Sequence, residues 1–362
     1  MKILFWTDGF WPRLGGIETQ GFEFIKAMQE RGHEFRVVAH LDQGLKREEI
    51  YRNIPIRRFD FSAIIEKRDL SLFQSIQTYL ESIQPDIIHL NATSGGSSFA
   101  FSIFQKMFRA PQIATIHAPA VYENTFAPII KKILSTVDQI CCVSNWVLGE
   151  MEKHLPLLKS KMQMIYNGLP MPQIVPSPLS FSPPTLLLFG RIVKEKGFDT
   201  ALHAFSHLLK GIPDAKLVIA GGGPLKPSLE KLALELSLSA SVTFTGVLNE
   251  EEVLANYNRA SLVIVPSLIE SFGLVILESM QMGRPVIASR VEGVPEVVVE
   301  GVTGLLIPPS DPHALCQAIE SLIKNPAIAI EMGIQGRQRA SKRFTIEQNA
   351  NQYEELYKRL RK

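Results

Sequence analysis

Residues 169–184 read LPMPQIVPSPLSFSPP, a run with six prolines and no charged side chain. Proline fixes φ and offers no amide donor, so such a run continues neither a helix nor a central strand and reads as an extended connector between domains. On its N-terminal side, short apolar runs alternate with amphipathic segments of helix length. Strands are expected near Ile3 to Trp6, Phe35 to Ala39, Ile87 to Leu90, Ile113 to His117 and Ile140 to Val143. Beyond the connector the alternation starts again, at Thr185 to Phe189, Lys216 to Ala220, Val242 to Thr245, Leu262 to Val265 and Val286 to Ala288. Apolar strands separated by helices are the pattern of parallel sheets covered on both faces. The expected fold is α/β, with two Rossmann-like domains at 1–168 and 185–344, the linker 169–184 between them, and an amphipathic helix over 345–362.

At 362 residues the chain is long enough for two domains of ordinary size, and a hydrophobic content of 46% supports packed cores rather than disorder. The 38 Lys and Arg against 36 Asp and Glu leave a formal charge of +2, a balance that implies no nucleic-acid partner. Cys141, Cys142 and Cys316 are too few and too poorly spaced for a disulfide framework or a zinc site, so a reducing cytoplasm is the simplest home. The apolar run after Lys2 is too short for a signal peptide. No stretch reaches the about 18 apolar residues of a membrane span.

The segment Pro266–Ser289, PSLIESFGLVILESMQMGRPVIAS, places two carboxylates, Glu270 and Glu278, around an expected helix start at Gly273. A loop that enters a helix at glycine presents unpaired amide N–H groups and the positive end of the helix dipole, which suits a phosphate. Glu270 then lies just outside that point and Glu278 on the second turn. With Leu274, Val275, Leu277 and Met282 around it, Glu278 stands on an apolar helix, where a carboxylate needs a partner. Ligand hydroxyls are one such partner; solvent or a salt bridge is another.

Glu, seven residues, Glu, with Ser271, Phe272 and Gly273 directly after the first Glu, resembles the signature of the retaining glycosyltransferases of family four. That family has the GT-B fold: two Rossmann-like domains facing each other across a cleft, with a C-terminal helix crossing back to the first domain. The resemblance implies that Glu270 touches hydroxyls of the donor sugar and Glu278 the ribose hydroxyls of the nucleotide. The amides of Gly273, Leu274 and Val275 would hold the diphosphate, with Ser271 and Phe272 in the same substrate-binding stretch.

Asp8 to Glu18, DGFWPRLGGIE, puts Gly15 and Gly16 where the helix after the first strand should begin. Missing side chains let backbone approach a ligand, although a tight turn uses the same glycines. By the resemblance they match a Gly-Gly loop that closes over the donor. In FGRIVKEKGFD, Arg191 and Lys196 fall at the C-terminal edge of the strand Thr185 to Phe189, where open α/β sheets bind ligands; solvated loop charges are the other reading. Gly-Arg, four residues, Lys-Gly resembles the family's diphosphate clamp, with Lys194 as the alternative to Lys196. Such a pair would neutralise charge growing on a leaving diphosphate.

Gly221, Gly222, Gly223 and Pro224 follow the next strand, as flexible backbone near a nucleotide or as a plain turn. Gly246 and Val247 resemble the place where the family pairs its base with main chain. His117 ends the strand ATIHAP, as a core histidine or, by the resemblance, as the His near the reaction centre. The Asp that commonly follows it is Ala118 here. Asn145 in VSNW and Asn167 in IYNGLP match family positions, though the acid that usually follows the Asn-Gly pair is replaced by Pro170.

No Asp-x-Asp occurs, so no metal is expected under the diphosphate, and no cofactor beyond the nucleotide-sugar donor. A Gly-x-Ser-x-Gly elbow, a Walker loop and His-Glu-x-x-His are also missing, which leaves serine hydrolase, P-loop NTPase and zinc protease readings without support. The expected activity is metal-independent, retaining transfer of a hexose-type sugar from a nucleotide-diphosphate sugar carrying uridine. Two alternatives stand beside it: an epimerase of UDP-sugars with a related fold, whose cleft carboxylates are not identifiable here, and a sugar-nucleotide-binding protein without catalysis.

The acceptor, a small sugar, a polysaccharide or a lipid-linked sugar, is expected on the first domain, whose loops from Gly44 to Asp69 and from Ala120 to Lys132 hold no readable code. Lys131 and Lys132 interrupt the apolar run Ile129 to Leu134, and Lys106 and Arg109 lie near Phe101, Phe104, Met107 and Phe108. These are patterns of basic amphipathic helices, which fit a cytoplasmic protein that touches a membrane surface; helices covering a parallel sheet show the same stripe.

Overall fold

The apolar run after Lys2 becomes the inner strand of a parallel sheet because Ile3, Leu4, Phe5 and Trp6 are buried on both faces. The structure, a computed structural model, describes residues 1–13, 15–67, 69–92, 96–119 and 127–361. The chain divides into two units, Met1–Gly168 with Ile346–Lys362, and Leu169–Thr345.

In the first unit the described strands are β1 (Lys2–Trp6), β2 (Glu34–His40), β3 (Glu48–Tyr51), β4 (Ile54–Phe59), β5 (Ile87–Ala92), β6 (Gln112–Ile116), β7 (Gln139–Cys142) and β8 (Met162–Met164). They lie in the order β3-β4-β2-β1-β5-β6-β7-β8, all parallel except the β3/β4 pair. The order reverses at β1, between β2 and β5. The helix Ile346–Leu360 closes this core with Tyr353 and Tyr357, each removing roughly 150–250 Å² from water. Their phenols find partners inside it: Tyr357 with His89 Nδ1 at 2.6 Å and Tyr353 with Thr115 Oγ1 at 2.7 Å.

In the second unit the described strands are β9 (Thr185–Phe189), β10 (Lys216–Ala220), β11 (Val242–Gly246), β12 (Leu262–Val265), β13 (Val286–Ser289) and β14 (Gly304–Ile307). All are parallel, in the order β11-β10-β9-β12-β13-β14, so the order reverses at β9. Leu186, Leu188, Leu217, Ile219, Leu262 and Ile264 supply one face of its core, and Phe198, Leu202 and Phe205 of the helix Phe198–Leu208 pack on it.

The α/β expectation with two parallel sheets holds, with additions and corrections. Sequence reading misses β3, β4, β8 and β14. β3 is a polar edge strand, β4 carries Pro55, Arg57 and Arg58, β8 has only three residues, and β14 holds only three apolar residues between Gly304 and Pro308, so none shows an apolar run of readable length. His117 lies one residue past the end of β6.

The proline-rich run is no free spacer. It belongs to the second unit, where Asn258 Oδ1 accepts from Ser177 N at 2.7 Å, the buried Arg284 donates to Ser177 O at 2.6 Å, and Gln281 donates to Leu169 O at 3.1 Å.

The two segments named for membrane contact bury most of their apolar residues inside the first unit. Phe101 and Phe104 in the helix Gly96–Phe104 are fully buried, Phe101 meeting Trp6 edge-on at 5.5 Å. In the helix Ala127–Thr136, Ile130, Ile133 and Leu134 are buried while Lys131 and Lys132 are exposed. These apolar residues are turned inward, leaving Ile103 and Met107 as the exposed apolar residues nearby. Among the described residues no helix is long and apolar enough to cross a membrane.

Candidate functional site

Ligands of open α/β sheets bind at the carboxyl ends of strands where strand order reverses. In the second unit that point lies between β9 and β12, and the loops leaving these two strands carry Arg191, Lys196 and Glu270. After β9 the chain makes a short 3-10 turn over Lys194–Lys196 that ends at Gly197, with φ 61°. A side chain at Gly197 would collide with the Pro266 carbonyl, so glycine allows the two loops to touch. Lys196 thereby reaches Glu270, and their side chains form an ion pair, half-buried on both sides. Lys194, the alternative, is exposed. Ser267 donates to the same Glu270 oxygen at 3.2 Å. Arg191 is exposed at the head of the loop.

Gly273, with φ 90°, is the N-cap of the helix Leu274–Gln281. Its carbonyl takes the amides of Ile276 and Leu277, at 3.0 and 3.2 Å. Leu274 and Val275 precede any such acceptor, so their amides point out of the helix start at its positive end. Both residues are half-exposed, whereas the Phe272 ring is buried edge-on against Phe344 at 5.6 Å, which leaves only its main chain for a ligand.

Glu278 is half-buried on the second turn and accepts from the Tyr257 phenol at 2.6 Å. Burial pushes its carboxyl up to about 7, with the Tyr257 hydrogen bond acting in the opposite direction. Tyr257 is itself buried, and its phenol is raised by burial first and then by the neighbouring carboxylate. The helix Glu250–Arg259 that carries it is anchored by a capping box between Asn249 and Glu252. Tyr257, Ser267 and Glu292, whose carboxylate accepts from Glu270 N at 2.9 Å, are site residues that sequence reading misses. The signal available for Tyr257 is a lone aromatic five residues before β12, which reads equally well as core. Gly222 and Val247 also come together, at the ends of the paired strands β10 and β11, with Val247 exposed.

In the first unit the reversal lies between β1 and β5. Gly15 caps the helix Gly16–Glu30 in an extended conformation, and a side chain there would run into the Glu18 carboxylate, which pairs with Arg13 at 3.3 Å. Leu14 in this loop, like residues 120–126 of the expected acceptor loop, lies outside the described residues. His117 is buried, with Nε2 2.5 Å from Asn91 Oδ1 at the end of β5. Asn91 donates to Thr7 Oγ1 at 3.4 Å, and Thr7 donates to Gly9 O at 3.0 Å, linking the loops of both strands. Burial pushes the His117 imidazole down to about 4, so it is neutral near pH 7. Because an amide oxygen only accepts, Nε2 carries the hydrogen and Nδ1 is left as an acceptor. Asn145 begins the helix Asn145–His154 and donates to the Tyr166 hydroxyl at 2.9 Å; Asn167 is buried.

The family model described as Glycosyl transferases group 1 matches residues 175–339, and that described as Glycosyltransferase Family 4 matches residues 14–173. The chain belongs to the family-four glycosyltransferases. This glycosyltransferase is 33% identical to Alpha-D-kanosaminyltransferase of Streptomyces kanamyceticus over 49% of its own length and 46% of that protein's. It is 34% identical to the GDP-mannose-dependent alpha-(1-6)-phosphatidylinositol monomannoside mannosyltransferase of Mycolicibacterium smegmatis, over 42% of each chain. The chain thus spans under half the length of these two relatives. Among solved structures it is similar to the sucrose-phosphate synthase of Thermosynechococcus elongatus, with a TM-score of 0.83 and 24% identity over 99% of this chain and 98% of that one. That likeness shows the GT-B fold of the glycosyltransferase.

Proposed function

We propose that this glycosyltransferase moves a hexose-type sugar from a nucleotide-diphosphate sugar, with uridine as the base, to a small-sugar, polysaccharide or lipid-linked acceptor. In this reading it retains the anomeric configuration and needs no metal ion. The observation that carries the reading is the Lys196–Glu270 ion pair at the strand reversal, just before the helix start at Gly273. A cation, a carboxylate and outward amides there fit the three parts of such a donor: leaving diphosphate, sugar hydroxyls and phosphate oxygens.

Glu270 orients the sugar, and Glu278, held by Tyr257, takes the ribose hydroxyls. The amides of Gly273, Leu274 and Val275 hold the diphosphate, with the Ser271 and Phe272 main chain beside them and Gly222 and Val247 toward the base. Arg191 and Lys196 stabilise the charge that develops as the diphosphate leaves, the work of a metal in other architectures. The acceptor attacks from the side on which the diphosphate departs, and the leaving phosphate helps to take its proton, so no protein base is required. Gly15, Gly16, His117 and Asn145 are the first unit's substrate contacts in this reading, with His117 acting as a neutral hydrogen-bond acceptor. The protein is assigned to the cytoplasm, with peripheral membrane contact tied to a lipid-linked acceptor.

Transfer of label from UDP-glucose and GDP-mannose to sugar and lipid-linked acceptors, with the product anomer read by NMR, tests the reading. An inverted product, or no transfer from any nucleotide sugar, overturns it.

A further inference from the structure

Glu292, in the turn between β13 and the short helix Val294–Val297, has φ 45°. Side chains rarely adopt this left-handed conformation, and strain of that kind persists where the surrounding structure uses it. Glycine would meet the backbone requirement more easily, yet a half-buried glutamate stands there. Its carboxylate Oε2 accepts from Glu270 N at 2.9 Å and lies 3.5 Å from Ser271 Oγ. The next amide, Gly293 N, donates back to Glu270 O at 3.3 Å. Both main-chain polar groups of Glu270 are therefore held by Glu292 and its neighbour, and the left-handed turn brings carboxylate and amide to the same side.

We propose that Glu292 is a positioning residue for sugar transfer, fixing the main chain of Glu270 so that the Glu270 carboxylate meets the donor sugar. The inference rests on the proposed function above. Lys196 and Ser267 hold the Glu270 side chain and Glu195 O takes Leu268 N at 2.7 Å, whereas the Glu270 main-chain N and O are held by the β13 turn. The donor elements are thus tied across three adjacent strands, β9, β12 and β13.

Glu292→Gly and Glu292→Gln in the full chain test this. The glycine variant relieves the backbone and removes the acceptor, so its melting temperature should stay within about 3 °C of the parent. Hydrogen exchange over residues 270–273 should speed up about tenfold or more, and turnover of UDP-glucose or GDP-mannose should fall about 10–100-fold, with UDP affinity changed by less than about threefold. Glu292→Gln keeps an acceptor oxygen for Glu270 N and should restore both exchange protection and turnover. Unchanged exchange in the glycine variant overturns the proposal, as does faster exchange with unchanged turnover. A large loss of melting temperature with parallel loss of UDP binding assigns Glu292 to the fold alone and also overturns it. If the parent chain turns over neither nucleotide sugar, the functional reading itself fails and this proposal with it; that failure is seen in the parent rather than in the variants.

Discussion

The Tyr257 phenol donates to Glu278 Oε2 over 2.6 Å, joining the helix before β12 to the helix after it around a carboxyl that burial holds near 7. The hydrogen bond gives the carboxylate a partner before any ligand arrives and aims the group, which an apolar helix face would otherwise favour in its protonated form. Tyr257→Phe should therefore raise the Glu278 pKa further and weaken UDP binding at pH 7 by roughly three- to tenfold, the usual worth of one buried hydrogen bond to a charged group. Calorimetry at pH 7 and 9 checks it: the deficit should shrink at pH 9, where both proteins are ionised, and an equal deficit at both values would count against the pKa effect and leave only the aiming role.

Glu278 should also make nucleotide affinity depend on pH. Ribose hydroxyls donate best to the ionised carboxylate, so UDP affinity should rise as pH increases toward and just past 7, by up to about tenfold per unit, and then level off. Stability has the opposite sign. The folded pKa lies above the ordinary carboxyl value, so the contribution of Glu278 is fully present below about 4.5 and is lost as pH rises through about 7. Glu278→Gln should accordingly raise the melting temperature at pH 8 more than at pH 5 and flatten the pH profile of UDP binding; thermal unfolding and calorimetry across that range read both.

Arg191→Ala and Lys196→Ala should each slow transfer by about two to three orders of magnitude, the typical effect of losing one preorganised charge contact. Lys196→Ala also leaves Glu270 without its cation. Initial rates at saturating donor measure the loss, and near-parent turnover in both variants would place the clamp elsewhere.

Glu270→Ala should mainly lower kcat, whereas Glu278→Ala should mainly weaken the binding of free UDP, because one carboxylate is assigned to the moving sugar and the other to the ribose. Titration of each variant with UDP, which lacks the sugar, separates the two roles. Equal weakening in both would remove the division.

Transfer should persist in excess chelator, since Arg191, Lys196 and the helix start can carry the diphosphate charge. Rates with EDTA, then with added manganese or magnesium, decide it; loss of activity restored by metal contradicts the prediction.

What the sequence by itself determined is the α/β class and the two parallel sheets, because apolar runs such as Leu186 to Phe189 and helix-length amphipathic segments are local patterns that need no partner to be recognised. It also placed Glu270, Glu278 and Gly273 around one helix start, since their relation is a spacing along a single segment. Strands with no local signature, the polar β3 and the short β14, took shape only through pairing with neighbours. Tertiary structure likewise decided that Lys196 rather than Lys194 meets Glu270, that Tyr257 holds Glu278, that Glu292 holds the Glu270 main chain, and that Phe101 and Phe104 face Trp6 rather than a lipid surface. The physical reason is that sheet order is a long-range property. β9, β12 and β13 lie side by side although about 75 residues separate the first two, and only that adjacency tells which of several equivalent charges finds a partner.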